Sequence, residues 1–173
     1  GDVYKRQVGS RSGITKNMTV ISESGLVGVV KSVTSNSSIV LLMSDPTFKV
    51  GVRIAGTQSI GVVSGQGGST YLLQLLDATG EIKEGDALVA RGSAGDRPFV
   101  PGVPVGIVTS VNSDASSITQ NADVESSANL EKISVVAVVT AATKGDPRDS
   151  LIPRPRPKPV APVIPTPTPT PSN

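Results

Sequence analysis

Short apolar runs separated by turn residues dominate the chain from residue 13 to about residue 140. The runs are rich in Val and Ile and are broken by Gly, Asn, Asp or Ser about every eight to twelve residues, a pattern typical of an all-β sandwich or barrel. Helical periodicity is nearly absent, and the pattern favours a helical turn only at residues 127–131. The predicted strands are residues 19–22, 25–33, 38–43, 49–54, 59–64, 71–75, 87–90, 104–110 and 133–140.

An internal repeat divides this region into two related parts. Residues 27–33 read VGVVKSV, and residues 105–111 read VGIVTSV. A polar turn precedes each copy, at residues 16–20 and 84–89, and such turns use positive φ angles that Asn and Gly tolerate. The repeat predicts two tandem β units, each so small that we expect them to bury surface against each other. The alternative is chance similarity between phrases of a Val-rich chain.

The two ends of the chain differ from this β region. Residues 1–12 show no connected periodicity and are predicted to be a non-native or linker segment. Most of the 14 prolines lie in the last segment, where they alternate with Arg, Lys or Thr and favour an extended polyproline II conformation. We therefore predict a first β-barrel at residues 13–65, a second β-barrel at residues 66–142, and a disordered Pro- and Thr-rich tail at residues 143–173.

The composition excludes most catalytic chemistry. The chain has no Cys and no His, so it lacks disulfides, thiolate zinc ligands, the usual general base and the commonest transition-metal ligand. Aromatic residues make up 2% of the chain, which leaves little for stacking against nucleic-acid bases. We accordingly predict no catalytic residue, no cofactor, no metal site and no nucleic-acid partner.

The charge pattern places the excess of basic residues in the tail, and the hydropathy pattern indicates no membrane helix. The net charge is +2, and its excess comes from Arg154, Arg156 and Lys158. The longest apolar runs, residues 39–43 and 135–139, are far shorter than the ~20 residues that span a bilayer. Because the chain begins with Gly, we interpret it as a fragment or processed product, and an anchor in its parent stays open.

Two stretches resemble ligand-binding loops but favour turns. Residues 65–69, GQGGS, lack the Lys of a phosphate-binding loop and are typical of a hairpin connection. The nearby acidic group does not have the spacing of a calcium loop, and residues 84–86 within it favour a turn whose Asp caps its own backbone. That acidic group consists of Asp77, Glu81, Glu84 and Asp86.

A nucleophilic Ser would need a Lys as its base in a chain without His. The lysines of the β region carry no Ser-x-x-Lys signature and fall in predicted turns or on strand faces. These lysines are Lys16, Lys31, Lys49 and Lys83. A Ser-Lys hydrolase therefore stays a minor alternative.

Five phrases occur in order along the β region. They are GLVGVV at residues 25–30, VLL followed by SDP at 40–46, IKEGD at 82–86, FVPGVPVG at 99–106, and ANLE at 128–131 before the final strand. Each phrase alone is only a short strand segment next to Gly or Pro turn residues. Together, in this order and at this spacing, the phrases extend over about residues 13–140. In this arrangement the sequence resembles the extracytoplasmic domain of the MreC family of bacterial rod shape-determining proteins.

This resemblance implies an all-β fold of two tandem small six-stranded β-barrels. It also implies a non-enzymatic scaffold that maintains rod shape by positioning and activating side-wall peptidoglycan synthesis at the extracytoplasmic face of the plasma membrane. The implied partners are the elongation-specific penicillin-binding protein, the MreD and MreB assembly, further copies of the same protein, and the membrane through an N-terminal helix. This sequence lacks that helix and the family's coiled coil, and whether its first barrel is complete stays open.

The mechanism favoured by these observations is binding through apolar and backbone-rich surfaces. The partner-binding residues stay unknown at this stage, because aromatic anchors are scarce. Phe99 and Tyr71 are the aromatic candidates for an anchor, although both positions favour the core. A wall-polymer binding module that uses the tail cations is the other alternative function, beside the Ser-Lys hydrolase on a double-barrel fold.

Overall fold

The computed structural model describes residues 3–77, 80–112, 119–133 and 135–141. These residues form an all-β structure with three short 3-10 turns, at Ser10–Ser12, Ala94–Asp96 and Leu130–Lys132. None of these turns has the length or apolarity to span a membrane. The strands are β1 (Val3–Arg6), β2 (Thr19–Ile21), β3 (Leu26–Val33), β4 (Ser38–Leu42), β5 (Lys49–Ile54), β6 (Ile60–Gly65), β7 (Thr70–Leu75), β8 (Ala87–Ala90), β9 (Pro104–Asn112), β10 (Asn121–Ser126) and β11 (Ala137–Val138).

Six of these strands close into an antiparallel barrel in the order β10-β7-β6-β5-β8-β9. Alternate residues of each strand point inward, so that Val50 and Val52 of β5 and Leu73 and Leu75 of β7 are buried in one apolar cluster. The loop between β8 and β9 adds Phe99, whose ring contacts the ring of Phe48 edge-on. The barrel core is therefore mainly aliphatic, with Phe48, Tyr71 and Phe99 as its buried aromatic side chains among the described residues.

The other five strands form an open antiparallel sheet in the order β1-β4-β3-β2-β11. Its inner face has a smaller apolar cluster that includes Val20, Val30 and Val40. Its outer face contributes Leu26 to the barrel cluster and packs Ile21, Val29 and Leu41 against it. As expected from their small size, the two units bury apolar surface against each other.

The prediction of two six-stranded barrels is correct for one unit and wrong for the other, which is an open sheet. Strands β1 and β11 are the sheet's two edges, and no described strand pairs with both of them. The division predicted between residues 65 and 66 falls between β6 and β7, which are neighbours in the barrel. Strand β1 lies within residues 1–12, and the predicted tail at 143–173 lies outside the described residues.

The internal repeat is confirmed by the strand pairing. Strand β3 pairs with β2 and β4 as β9 pairs with β8 and β10. The register shifts at equivalent places in the two units, between Val20 and Ile21 of β2 and between Leu88 and Val89 of β8. Because a bulge is specific to its position in a strand, this agreement is a stronger sign of a repeat than the Val-rich phrases.

The turn before each repeat is also confirmed. Asn17 has φ 63° and Gly85 has φ 89°, the left-handed region that Asn and Gly tolerate. The N–H of Asn17 donates to the oxygen of Val30 at 2.9 Å, and the N–H of Gly85 donates to the oxygen of Val108 at 2.8 Å. Each turn is therefore bonded to the same point of the following long strand.

The repeat explains why the sheet is open. Strand β11 flanks β2 as β5 flanks β8, and β1 flanks β4 as β7 flanks β10. In the barrel, β6 pairs with both β5 and β7 and so joins the two ends of the sheet. No described strand of the first unit corresponds to β6, so its edges stay apart.

Candidate interaction surface

The loop and the acidic residues that the sequence analysis considered as ligand-binding sites lie in turns or have exposed or half-buried side chains. Residues 65–69 connect β6 and β7 as a hairpin, as predicted. The Asp86 carboxylate accepts the N–H of Lys83 at 2.8 Å, which is the predicted self-capping turn, and the Lys83 ammonium pairs with exposed Glu81 at 3.2 Å. Within the described residues, no group of three or more acidic side chains is placed to hold a metal ion.

The lysines proposed as alternative bases are all exposed. Burial in apolar surroundings is what turns a lysine into a base near neutral pH, and none of the four has that setting. They are Lys16, Lys31, Lys49 and Lys83. The structure therefore gives no support to a Ser-Lys dyad built on them.

Both aromatic candidates for an interface anchor lie in the barrel core. Tyr71 is 2% exposed and Phe99 is 7% exposed. The core encloses both side chains, so Tyr71 and Phe99 do not mark an interaction surface.

An apolar strip instead runs over the outer surface of the barrel on β6 and β7. Ile60 and Val62 of β6 and Leu72 of β7 are half-buried, and Leu76 just after β7 is 60% exposed. The register places Val62 beside Gln74 and Ser64 beside Leu72, so the apolar side chains are diagonal neighbours on one face. We name the set Ile60, Val62, Leu72 and Leu76 the β6–β7 face.

The surroundings of this face resemble a protein interface, with an apolar centre and a polar rim. On one side Gly51 of β5 pairs with Val62, and a Cβ at Gly51 would meet no atom within 4 Å. On the other side Asp123 of β10 pairs with Leu72. The centre is therefore open and flat, and Asp123, Gln74 and Ser64 border it.

The predicted strands did not single out this face, although their residues contain a signal for it. Alternation in a strand with one solvated face places polar residues outward, whereas β6 and β7 contain adjacent apolar pairs, residues 62–63 and 72–73. One member of each pair must point outward. In the sheet the outward residues Val29 and Leu41 pack against the barrel cluster, whereas the four residues of the β6–β7 face pack against neither apolar cluster of the described core.

The open sheet has a second apolar feature on its inner face. A cleft of about 350 Å³ lies between the segment before β2 and the strands β2, β4 and β11. Ile14, Val20, Val40 and Val138 line it, and Val8 and Thr140 lie at its margin.

A closed barrel packed on an open sheet defines the class of this protein as a two-part β domain. The family model "Rod shape-determining protein MreC, barrel core" matches residues 7–140. The chain therefore belongs to the MreC family.

Curated relatives agree with this assignment. The cell shape-determining protein MreC of Haemophilus influenzae is 32% identical over 143 residues, which cover 80% of this chain and 40% of the relative. The Escherichia coli protein of the same name is 32% identical over 149 residues, covering 83% of this chain and 40% of the relative. The chain thus spans about two fifths of the length of these relatives.

Solved structures of the family share the fold. The crystal structure of MreC from Pseudomonas aeruginosa has a TM-score of 0.71 at 27% identity, covering 79% of this chain and 88% of that chain. A structure described as the major periplasmic domain of the cell shape-determining filament MreC has a TM-score of 0.62 at 27% identity, over 73% of this chain and 78% of that one.

A complex between the penicillin-binding protein PBP2 and MreC from Helicobacter pylori is also similar. Its TM-score is 0.52 at 18% identity, covering 64% of this chain and 68% of that chain. At this identity the likeness shows the fold alone.

Proposed function

We propose that this chain is the extracytoplasmic part of a non-enzymatic scaffold that maintains rod cell shape by positioning and activating side-wall peptidoglycan synthesis. Membership in the MreC family and the periplasmic location of a solved relative support this role. Its proposed principal partner is the elongation-specific penicillin-binding protein, and the complex between the penicillin-binding protein PBP2 and MreC from Helicobacter pylori supports this proposal. The parent protein reaches the membrane through an N-terminal helix and assembles with MreD, MreB and further copies of itself.

The observation that carries the partner proposal is the uncovered β6–β7 face. Apolar side chains at the centre of an interface contribute about 25 cal/mol per Å² of area removed from water. Part of this gain is offset by the loss of freedom on association. Because the side chains at this centre are branched aliphatic residues on rigid strands, they lose little conformational freedom when covered.

Val62 is the central residue for a test of this proposal. We expect Val62→Asp to weaken binding of the elongation-specific penicillin-binding protein by about tenfold or more, because the change buries an unpaired carboxylate at the centre of the interface. Ser64→Asp places the same charge on the outer face of the same strand at the rim, and we expect an effect below about threefold there. Affinity is measured by calorimetry with the soluble part of the penicillin-binding protein.

The control is the fold of both variants, followed by far-UV circular dichroism and thermal unfolding. Equal binding by Val62→Asp and the unchanged chain would show that the partner uses another surface. Absence of binding by the unchanged chain at high micromolar concentration would contradict the partner assignment itself. An equal loss in both variants would show a charge effect and not an apolar contact.

A further inference from the structure

The two units are joined by a buried hydroxyl. Thr19 lies at the start of β2 in the sheet and is 1% exposed. Its hydroxyl donates to the oxygen of Pro98 at 2.7 Å and accepts the N–H of Val100 at 3.1 Å. Both partners belong to the loop between β8 and β9 of the barrel, so one side chain satisfies a donor and an acceptor of the other unit.

The loop that Thr19 contacts is fixed to the barrel. Pro98 and Val100 flank Phe99, whose side chain is buried in the barrel core. The N–H of Ser93 donates to the oxygen of Phe99 at 3.0 Å, and the N–H of Gly102 donates to the oxygen of Ala90 at 2.8 Å. The position of the Thr19 hydroxyl is therefore tied to the barrel core through a single intervening residue.

The other contacts between the two units restrict the angle between the sheet and the barrel less strongly. Leu26, Val29 and Leu41 pack on the barrel, but apolar contact is non-directional and tolerates sliding. Arg97 also donates to the Thr15 hydroxyl at 2.9 Å, but this bond is exposed and competes with water. The two hydrogen bonds of the buried Thr19 side chain, by contrast, have narrow limits of distance and angle.

The repeat shows that the hydroxyl is not needed to build a strand of this kind. The oxygen of Thr19 accepts the N–H of Val139 at 2.9 Å, and the oxygen of Ala87 accepts the N–H of Ala55 at 2.9 Å. Thr19 and Ala87 thus hold the same place in β2 and β8. Because alanine serves at this place in the closed barrel, the hydroxyl at Thr19 has its use outside its own unit.

We propose that Thr19 is a positioning residue that fixes the angle between the open sheet and the barrel, so that the surfaces of the two units are presented in one relative orientation. The inference concerns the chain's own geometry and does not depend on the partner proposed above. Without the hydroxyl, the apolar contact would hold the units together at a variable angle.

Residual dipolar couplings of backbone amides test this directly on the full chain. In the unchanged protein we expect a single alignment tensor to fit the couplings measured for the amides of the sheet and of the barrel together. Thr19→Val keeps the side-chain shape and removes both hydrogen bonds, and we expect it to lose this common tensor, with each unit fitting a tensor of its own. Thr19→Ser restores the hydroxyl and should restore the common tensor.

Thr15→Val is the matched control, because it removes the exposed hydrogen bond to the same loop and should keep the common tensor. A common tensor in Thr19→Val would overturn the proposal, and so would its loss in Thr19→Ser or Thr15→Val. Failure of the barrel amides to fit any single tensor would also overturn it, since the hydroxyl would then support the barrel fold. If Thr19→Val does not fold, Thr19→Ala, which copies Ala87, is measured by the same criteria.

Discussion

Phe99→Ala is expected to cost about 3–5 kcal/mol of the free energy of unfolding, in the range for a buried Phe truncated to Ala. Phe99 is 7% exposed, and its ring meets the ring of Phe48 edge-on at a centroid distance of 5.5 Å and an interplanar angle of 75°. Phe99 belongs to the apolar cluster of the barrel, and its truncation would leave a cavity there. Since a domain has only about 5–15 kcal/mol in total, this loss brings the chain close to unfolding.

Urea unfolding followed by far-UV circular dichroism measures this effect, because the chain has no Trp for fluorescence. Two control variants are measured in the same way. Phe99→Leu keeps most of the side-chain volume and should lower the free energy of unfolding by less than about 1.5 kcal/mol. Leu76→Ala, at an exposed site, should change the free energy of unfolding by no more than about 0.5 kcal/mol. A loss below about 1 kcal/mol for Phe99→Ala would contradict the central place of this ring. If Phe99→Ala also lowers the protection of β2 amides from hydrogen exchange, this would reflect the hydrogen bonds between Thr19 and the residues beside Phe99.

The strands that the sequence predicted best have apolar inward residues and turn residues near both ends. Strands β5 and β8 have the predicted bounds, and β2, β3, β4, β6 and β7 differ from theirs by one residue at one or both ends. In these segments the local pattern and the tertiary structure agree, because each strand buries one face of alternating residues. Local signals are enough to locate such strands.

Strand β10 was not predicted, because its amino-acid composition does not indicate a strand with one buried face. Its inward residues, Ala122 and Val124, are small, and its outward residues include Asn121, Asp123 and Glu125. Residues of this kind are rare in strands, and only pairing with β7 and β9 on either side makes the segment a strand. The barrel supplies what the local propensity lacks.

The prediction of a closed barrel for the first unit failed because strand order is a non-local property. The sequence suggested that each unit would be a continuous stretch, but β5 crosses to pair with β8, and β11 returns from the far end of the chain to pair with β2. The final predicted strand at residues 133–140 is reduced to Ala137–Val138. The predicted helical turn at 127–131 is a 3-10 turn at Leu130–Lys132, capped by the Asn129 side chain.

The sequence alone indicates that β6 and β7 each have an outward apolar residue, but it shows neither that these residues stay uncovered nor that Thr19 contacts the barrel. Adjacent apolar pairs in predicted strands require one outward apolar residue, and residues 62–63 and 72–73 meet this condition by their order in the chain alone. The hydroxyl of Thr19 meets residues that lie far along the chain, and a Thr in a strand is ordinary in itself. Its role depends on how the two units pack.

Gly28→Ala and Gly106→Ala are expected to destabilise the sheet and the barrel by similar amounts, about 1–3 kcal/mol each or more, as for overpacking of a closed site. A Cβ at Gly28 would lie 2.1 Å from the oxygen of Leu41, and a Cβ at Gly106 would lie 2.4 Å from the oxygen of Glu125. The two glycines hold the same place in β3 and β9, where the neighbouring strand crosses closely. These backbone oxygens cannot move away without breaking the strand pairing. The added methyl group would therefore clash with them, and the clash could be relieved only by distorting the strands.

Gly51→Ala in β5 is the matched control for these two variants. It is also a strand glycine of the barrel, but an added Cβ would meet no atom within 4 Å. Without a clash, the change should be neutral or stabilise by about 0.4–1 kcal/mol, since alanine restricts the unfolded chain more than glycine does. Urea midpoints at a constant m-value measure all three. If Gly51→Ala costs as much as the other two, the cause is a general loss of glycine flexibility and not the close crossing that the repeat has preserved in both units.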